Sequence, residues 1–200
     1  GQFYRRSREA FPGTPYLKAD PLPKGEKFRV GISWKGGGAK LGRVQKRSVP
    51  LSWWKPILQV PEIEFVSLQY GNGNKNEELD IVRALGFDIK SMDEYVDAKD
   101  YYETAKLVKS CDLVISIATS VIHLAGALGV RTWCAVPKFP AWRYGNSGPC
   151  PWYKSIRLYR SPLVEQEGWF PVIAKIACDL NDLMSAKQKN SLSPKPSNLS

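Results

Sequence analysis

Two hundred residues are enough for one full-sized domain but not comfortably for two. With 43% apolar and 24% charged residues the make-up is that of a globular protein, and no apolar run reaches the ~20 residues of a membrane span. The net charge of +10 lies wholly in the first 55 residues, which hold 13 Lys or Arg against Glu9, Asp20 and Glu26, and such a patch attracts polyanions.

In chain order, residues 1–24 carry Pro12, Pro15, Pro21 and Pro23 without periodicity and read as an extended basic linker. The stretch 25–184 reads as one domain. Strands are predicted at Phe28–Trp34, Ile63–Gln69, Phe87–Lys90, Asp112–Ile117, Val130–Val136 and Ser155–Tyr159. Helical spacing of apolar residues falls at Asn76–Leu85, Asp100–Cys111, Val121–Leu128 (closed by Gly129) and Trp169–Leu183. Residues 185–200, polar and rich in Pro and Ser, read as a disordered tail. Strands separated by helices make an α/β fold, a Rossmann-like parallel sheet with helices on both faces. In such sheets ligands bind beyond the carboxyl ends of the strands.

Four segments beyond those strand ends carry candidate chemistry. At the end of the first strand stands Ser33, followed by Lys35 and the run Gly36-Gly37-Gly38, a turn able to offer amides, a hydroxyl and a cation to a phosphate. It has neither the P-loop nor the Gly-x-Gly-x-x-Gly spacing, and a plain surface loop is the other reading. After the strand at 112–117, Thr119 and Ser120 can cap a helix whose positive end suits an anion. His123, the one histidine, sits a turn further on, as a functional or a structural residue. Arg47 closes a basic loop with Lys40, Arg43 and Lys46; it is a phosphate candidate or part of a solvated loop. Trp142, Arg143 and Tyr144, followed by Trp152 and Tyr153, could stack on a base or sugar or form a local mini-core.

Other chemistry is set aside. Cys111, Cys134, Cys150 and Cys178 form no Cys-x-x-Cys pair, so with one histidine a zinc site is not expected, and Cys111 and Cys134, in or beside apolar runs, read as reduced core residues. Gly1 to Arg6 lack a signal peptide's apolar stretch, which points to the cytoplasm. No nucleic-acid motif accompanies the basic charge.

The pieces occur in an order that resembles the C-terminal domain of heptosyltransferase-like glycosyltransferases (family 9 type, GT-B fold), especially versions that follow tetratricopeptide repeats in bacterial proteins. The stretches that carry the resemblance include Gly31-Ile32-Ser33-Trp34-Lys35-Gly36, Arg47-Ser48-Val49-Pro50-Leu51, Phe65-Val66-Ser67-Leu68-Gln69, Asp112-Leu113-Val114-Ile115-Ser116, Trp142-Arg143 and Pro151-Trp152-Tyr153. The most specific is Thr119-Ser120-Val121-x-His123-Leu124-Ala125-Gly126-Ala127.

The resemblance implies one half of a GT-B fold that binds a nucleotide-sugar donor as substrate, with no resident cofactor or metal. It implies an inverting transfer to an acceptor held by a missing N-terminal domain, or a setting behind a repeat array. By position, Ser33, Lys35 and Gly36 would meet phosphate, and Thr119, Ser120 and His123 would line the diphosphate and sugar. Gln69 would sit at another strand end, and Arg47, Trp142 and Arg143 complete the donor-binding set. Two departures stand out. Ala118 occupies the place of an Asp that typically engages the donor sugar, and residues 39–46 lack the usual His and Asp. A catalytically inactive binding or scaffold module is therefore the alternative.

Overall fold

Six apolar segments form one sheet: β1 (Phe28–Ser33), β2 (Ile63–Ser67), β3 (Ile89–Ser91), β4 (Leu113–Ile117), β5 (Thr132–Val136) and β6 (Ile156–Arg160). Their order is β3-β2-β1-β4-β5-β6, and every neighbouring pair is parallel. The helices are α1 (Lys55–Leu58), α2 (Lys75–Ala84), α3 (Tyr101–Lys109), α4 (Ser120–Ala127) and α5 (Trp169–Leu192). The computed structural model describes residues 10–36, 48–71, 75–96, 100–164 and 166–192.

Every residue of β1, β4 and β5 is buried, as fits central strands covered on both faces. Strand alternation sends Val30, Ile32, Ile115 and Ile117 to one face, under Ile57 of α1, Leu79 and Val82 of α2 and Ile173, Ile176 and Leu180 of α5. The other face carries Val66 and Val114 against Leu107 and Val108 of α3 and Leu124 and Ala125 of α4. Each such side chain contributes about 1.5–3 kcal/mol when fully buried. Gly31 lets Leu68 cross β1 closely, since a Cβ there would stand 2.5 Å from Leu68 Cδ1. Local signals also hold. Asp100 caps α3 by accepting from Tyr102 N at 2.8 Å, and Gly129, at φ 72°, closes the turn after α4.

Two segments differ from the sequence expectation. Residues 11–25 have no helix or strand, as expected of a linker, but they form a docked strap. The amides of Tyr16 and Leu17 donate to Ala127 O at 2.9 and 3.0 Å, that of Leu22 to Lys106 O at 3.3 Å, and Ala19 and Leu22 pack on the α3–α4 core. Ala127 O lies at the end of α4, where carbonyls lack a partner in the helix, while Lys106 O takes the strap in addition to the amide of Ser110 at 3.1 Å. At the other end, α5 continues past Leu183 to Leu192, so residues 185–192 are helical rather than part of a tail. Adding residues to an anchored helix is cheap, and Lys187 Nζ reaches 4.6 Å from the centre of the Phe28 ring. No helix among the described residues is long and apolar enough to cross a membrane.

Candidate functional site

The strand order reverses between β1 and β4, which opens a crevice at their carboxyl ends. Ser33 and Ser116 are register partners there, so both chains leave the sheet at the same level. From β1 the chain runs through Trp34, Lys35 and Gly36; from β4 it runs through Ala118 and Thr119 into α4. The two exits touch. A Cβ on Gly36 would lie 3.3 Å from Thr119 Cγ2, 3.6 Å from Ile117 Cδ1 and 3.8 Å from Ala118 O.

Thr119 occupies the N-cap position of α4 in extended backbone, φ −112° and ψ 177°, without a capping hydrogen bond from its side chain. Its hydroxyl instead shares a 3.1 Å bond with Ser116 Oγ. Ser120 Oγ accepts from the Tyr101 hydroxyl at 3.1 Å. The expected side-chain cap is therefore not made. The positive end of α4 faces the crevice without a cap bond from the Thr119 side chain.

The β1 exit is held by Gln69, which follows β2 and is buried. Its Oε1 accepts from Ser33 Oγ at 3.2 Å, Trp34 N at 3.0 Å and Lys35 N at 2.8 Å. Its Nε2 donates to Lys35 O at 3.2 Å and Tyr70 O at 3.0 Å. Gln69 thus lies at the strand end as expected, with its amide turned to the turn backbone. Lys35 pairs with Glu78 of α2, Nζ to Oε2 2.7 Å, and the same carboxylate oxygen accepts from Trp34 Nε1 at 2.8 Å. Sequence reading missed Glu78. It is one of several acids on an exposed-looking helix, and only the tertiary fold sets it beside β1.

A third wall comes from the segment after β5. His123 Nε2 shares a 3.1 Å hydrogen bond with the Tyr144 hydroxyl, the two rings stack at 5.9 Å, and Tyr153 meets the imidazole edge-on at 5.9 Å. Burial, with Arg143 nearby, holds the His123 pKa below its usual value, which favours the neutral ring. Burial pushes the Tyr144 hydroxyl up to about 12, so it stays protonated. Arg160 pins this segment by donating to the carbonyls of Tyr144, Gly145 and Gly148 at 2.9, 2.8 and 3.0 Å. Trp142 is 81% exposed and meets Trp152 edge-on, which in turn packs on Phe11. The aromatics thus form a mini-core, with Trp142 at its open rim. Arg143 Nε is buried with no hydrogen-bond partner among the described residues.

The fold therefore gathers Ser33, Lys35, Gly36, Gln69, Thr119 and Ser120 around the β1–β4 crevice. His123 stands one turn up α4, against the segment that carries Trp142 and Arg143. Arg47 lies outside the described residues. Among the described residues no group of three or more His, Cys, Asp or Glu could hold a metal ion.

A parallel sheet in this order, open at its switch point, is a Rossmann-like α/β domain of the kind that makes up half of a GT-B glycosyltransferase fold. E. coli heptosyltransferase WaaC with ADP matches 87% of this chain and 48% of its own with a TM-score of 0.55 at 16% identity. The same enzyme with ADP-2-deoxy-2-fluoro heptose gives 0.52 at 16% identity, over 87% of this chain and 47% of that one. Protein FlbA of Caulobacter vibrioides is 32% identical over 201 residues, which cover 91% of this chain. The chain spans only about a third of that relative, 32% of its length. No family model matches the chain.

Proposed function

We propose that this chain is the donor-binding domain of a glycosyltransferase, with a nucleoside-diphosphate sugar held at the β1–β4 crevice. The observation that carries the reading is the contact of Gly36 with Thr119, which joins a turn bearing Lys35 to a helix start without a side-chain cap. Two anion-suited pieces then face one ligand. The donor diphosphate would lie between them, with the sugar towards His123 and Arg143, whose buried Nε offers a donor. Exposed Trp142 would stack on the base or sugar. The fold shared with an ADP-sugar enzyme makes ADP the first ligand to try.

In the transfer, an acceptor oxygen bonds to the anomeric carbon as the bond from that carbon to the diphosphate oxygen breaks. The electron pair leaves with the diphosphate, where Lys35 and the α4 dipole stabilise the growing charge. No metal takes part in this scheme. The acceptor site and the base that takes its proton would come from another part of a longer protein, either a second domain or a repeat array. The isolated chain should then bind donor without turnover. Free thiols at Cys111, Cys134, Cys150 and Cys178 suit a cytoplasmic setting.

One residue favours the second reading, an inactive binding or scaffold module. Ala118, at the β4–α4 junction, offers no carboxylate to the sugar. Titration calorimetry with a panel of nucleoside diphosphates tests the main reading. Binding that weakens with salt and with Lys35→Ala supports it. No binding at millimolar ligand removes it and leaves the scaffold reading. If donor binds but the longer protein is inactive, gain of transfer in Ala118→Asp would identify a degenerate enzyme.

A further inference from the structure

We infer that Glu78 is the resident counter-ion of the diphosphate site: it holds Lys35 until a phosphate displaces it, and so limits how tightly the site retains a nucleoside diphosphate. This rests on the diphosphate reading above.

The carboxylate is fixed where it can compete. Its Oε2 lies 2.7 Å from Lys35 Nζ and also accepts from Trp34 Nε1 at 2.8 Å. Trp34 is wholly buried, and Leu79 and Val82 anchor α2 in the core, so Glu78 is held from both sides. The Lys35 and Glu78 side chains are 29% and 14% exposed, so the pair is only partly screened by water. A phosphate reaching Lys35 therefore meets a carboxylate already on the same cation. Lys35 has to divide its charge between two anions, which repel each other. The arrangement serves both ends of a turnover. In the empty site Glu78 gives the partly buried lysine an ionic partner. After transfer it takes the lysine back and lets the diphosphate leave.

Glu78→Gln isolates the charge, because the amide oxygen still accepts from Trp34 Nε1. Dissociation constants for ADP, pyrophosphate and adenosine are to be measured by calorimetry on the wild-type chain, Glu78→Gln, Glu78→Asp and Lys35→Ala. ADP and pyrophosphate should bind Glu78→Gln about three- to tenfold more tightly than wild type, with a steeper loss of affinity as salt rises. Adenosine should be indifferent to the change. Glu78→Asp, which draws the carboxylate back by one methylene, should show a smaller gain and serves if the Gln variant does not fold. Unchanged or weaker ADP binding by both variants, with Lys35→Ala still harmful, overturns the inference and leaves Glu78 as a support for Lys35. An equal gain for adenosine also overturns it, since the effect would not act on phosphate. If neither wild type nor Glu78→Gln binds ADP or pyrophosphate, the diphosphate reading itself has failed.

Discussion

Gly36 lies against Thr119, so that the turn leaving β1 and the cap of α4 form one continuous wall. The 3.3 Å spacing to Thr119 Cγ2 leaves little room for any side chain at Gly36. Gly36→Ala should be nearly tolerated after a small shift of the threonine. Gly36→Val should part the two segments at a cost of about 1–3 kcal/mol and lower ADP affinity about tenfold. Urea unfolding and calorimetry together measure this. Undiminished affinity in the Val variant would mean that the junction is not where the ligand sits.

Gln69 is expected to matter more for stability than for direct contact with ligand. Gln69→Leu leaves Ser33 Oγ and the amides of Trp34 and Lys35 without their common acceptor. Buried donors without a partner cost about 1–3 kcal/mol each, and partial relaxation should bring the total to about 2–4 kcal/mol. Denaturant melts would record it. A loss below about 0.5 kcal/mol would show that another acceptor replaces the amide.

The pH dependence follows from His123. Its folded-state pKa is depressed by burial and by Arg143, so between that value and the unfolded one the unfolded chain binds the extra proton. Folded stability should therefore fall as pH drops below about 6.5, and this part of the loss levels off below the folded pKa. Buried carboxylates contribute losses of their own at lower pH, so the comparison is with His123→Gln. The variant should lose less stability than wild type between about pH 7 and pH 5. Parallel curves would mean that the ring titrates normally.

The strap makes residues 11–25 part of the domain. Chains starting at residue 10 and at residue 26 should differ in stability by about 2 kcal/mol, or roughly 4–8 °C in melting midpoint for a chain of this size. The shorter one loses the bonds to Ala127 O, the packing of Leu22 and the Lys24–Asp112 ion pair at 2.5 Å. Equal midpoints would return these residues to the status of a linker.

Local patterns in the chain determined which elements form. Buried strands announce themselves as β-branched runs such as Leu113–Ile117, and Gly129 ends α4 because a left-handed residue is needed there. The same patterns place Ser33 at a strand end and Lys35, Thr119 and Ser120 just beyond one, which is why half of the site is legible one segment at a time. Strand order is not a local property. Only the packed sheet puts β1 beside β4, and so Gly36 beside Thr119 and Glu78 beside Lys35. Tertiary competition for hydrogen bonds decided the rest. Thr119 turned from the helix amides to Ser116, Gln69 turned to the β1 exit, and the proline-rich segment that read as an extended linker bonded to carbonyls of α3 and α4. The physical reason is that leaving a buried polar group unpaired is costly, so most find a partner, and which partner is nearest depends on segments far away in the chain.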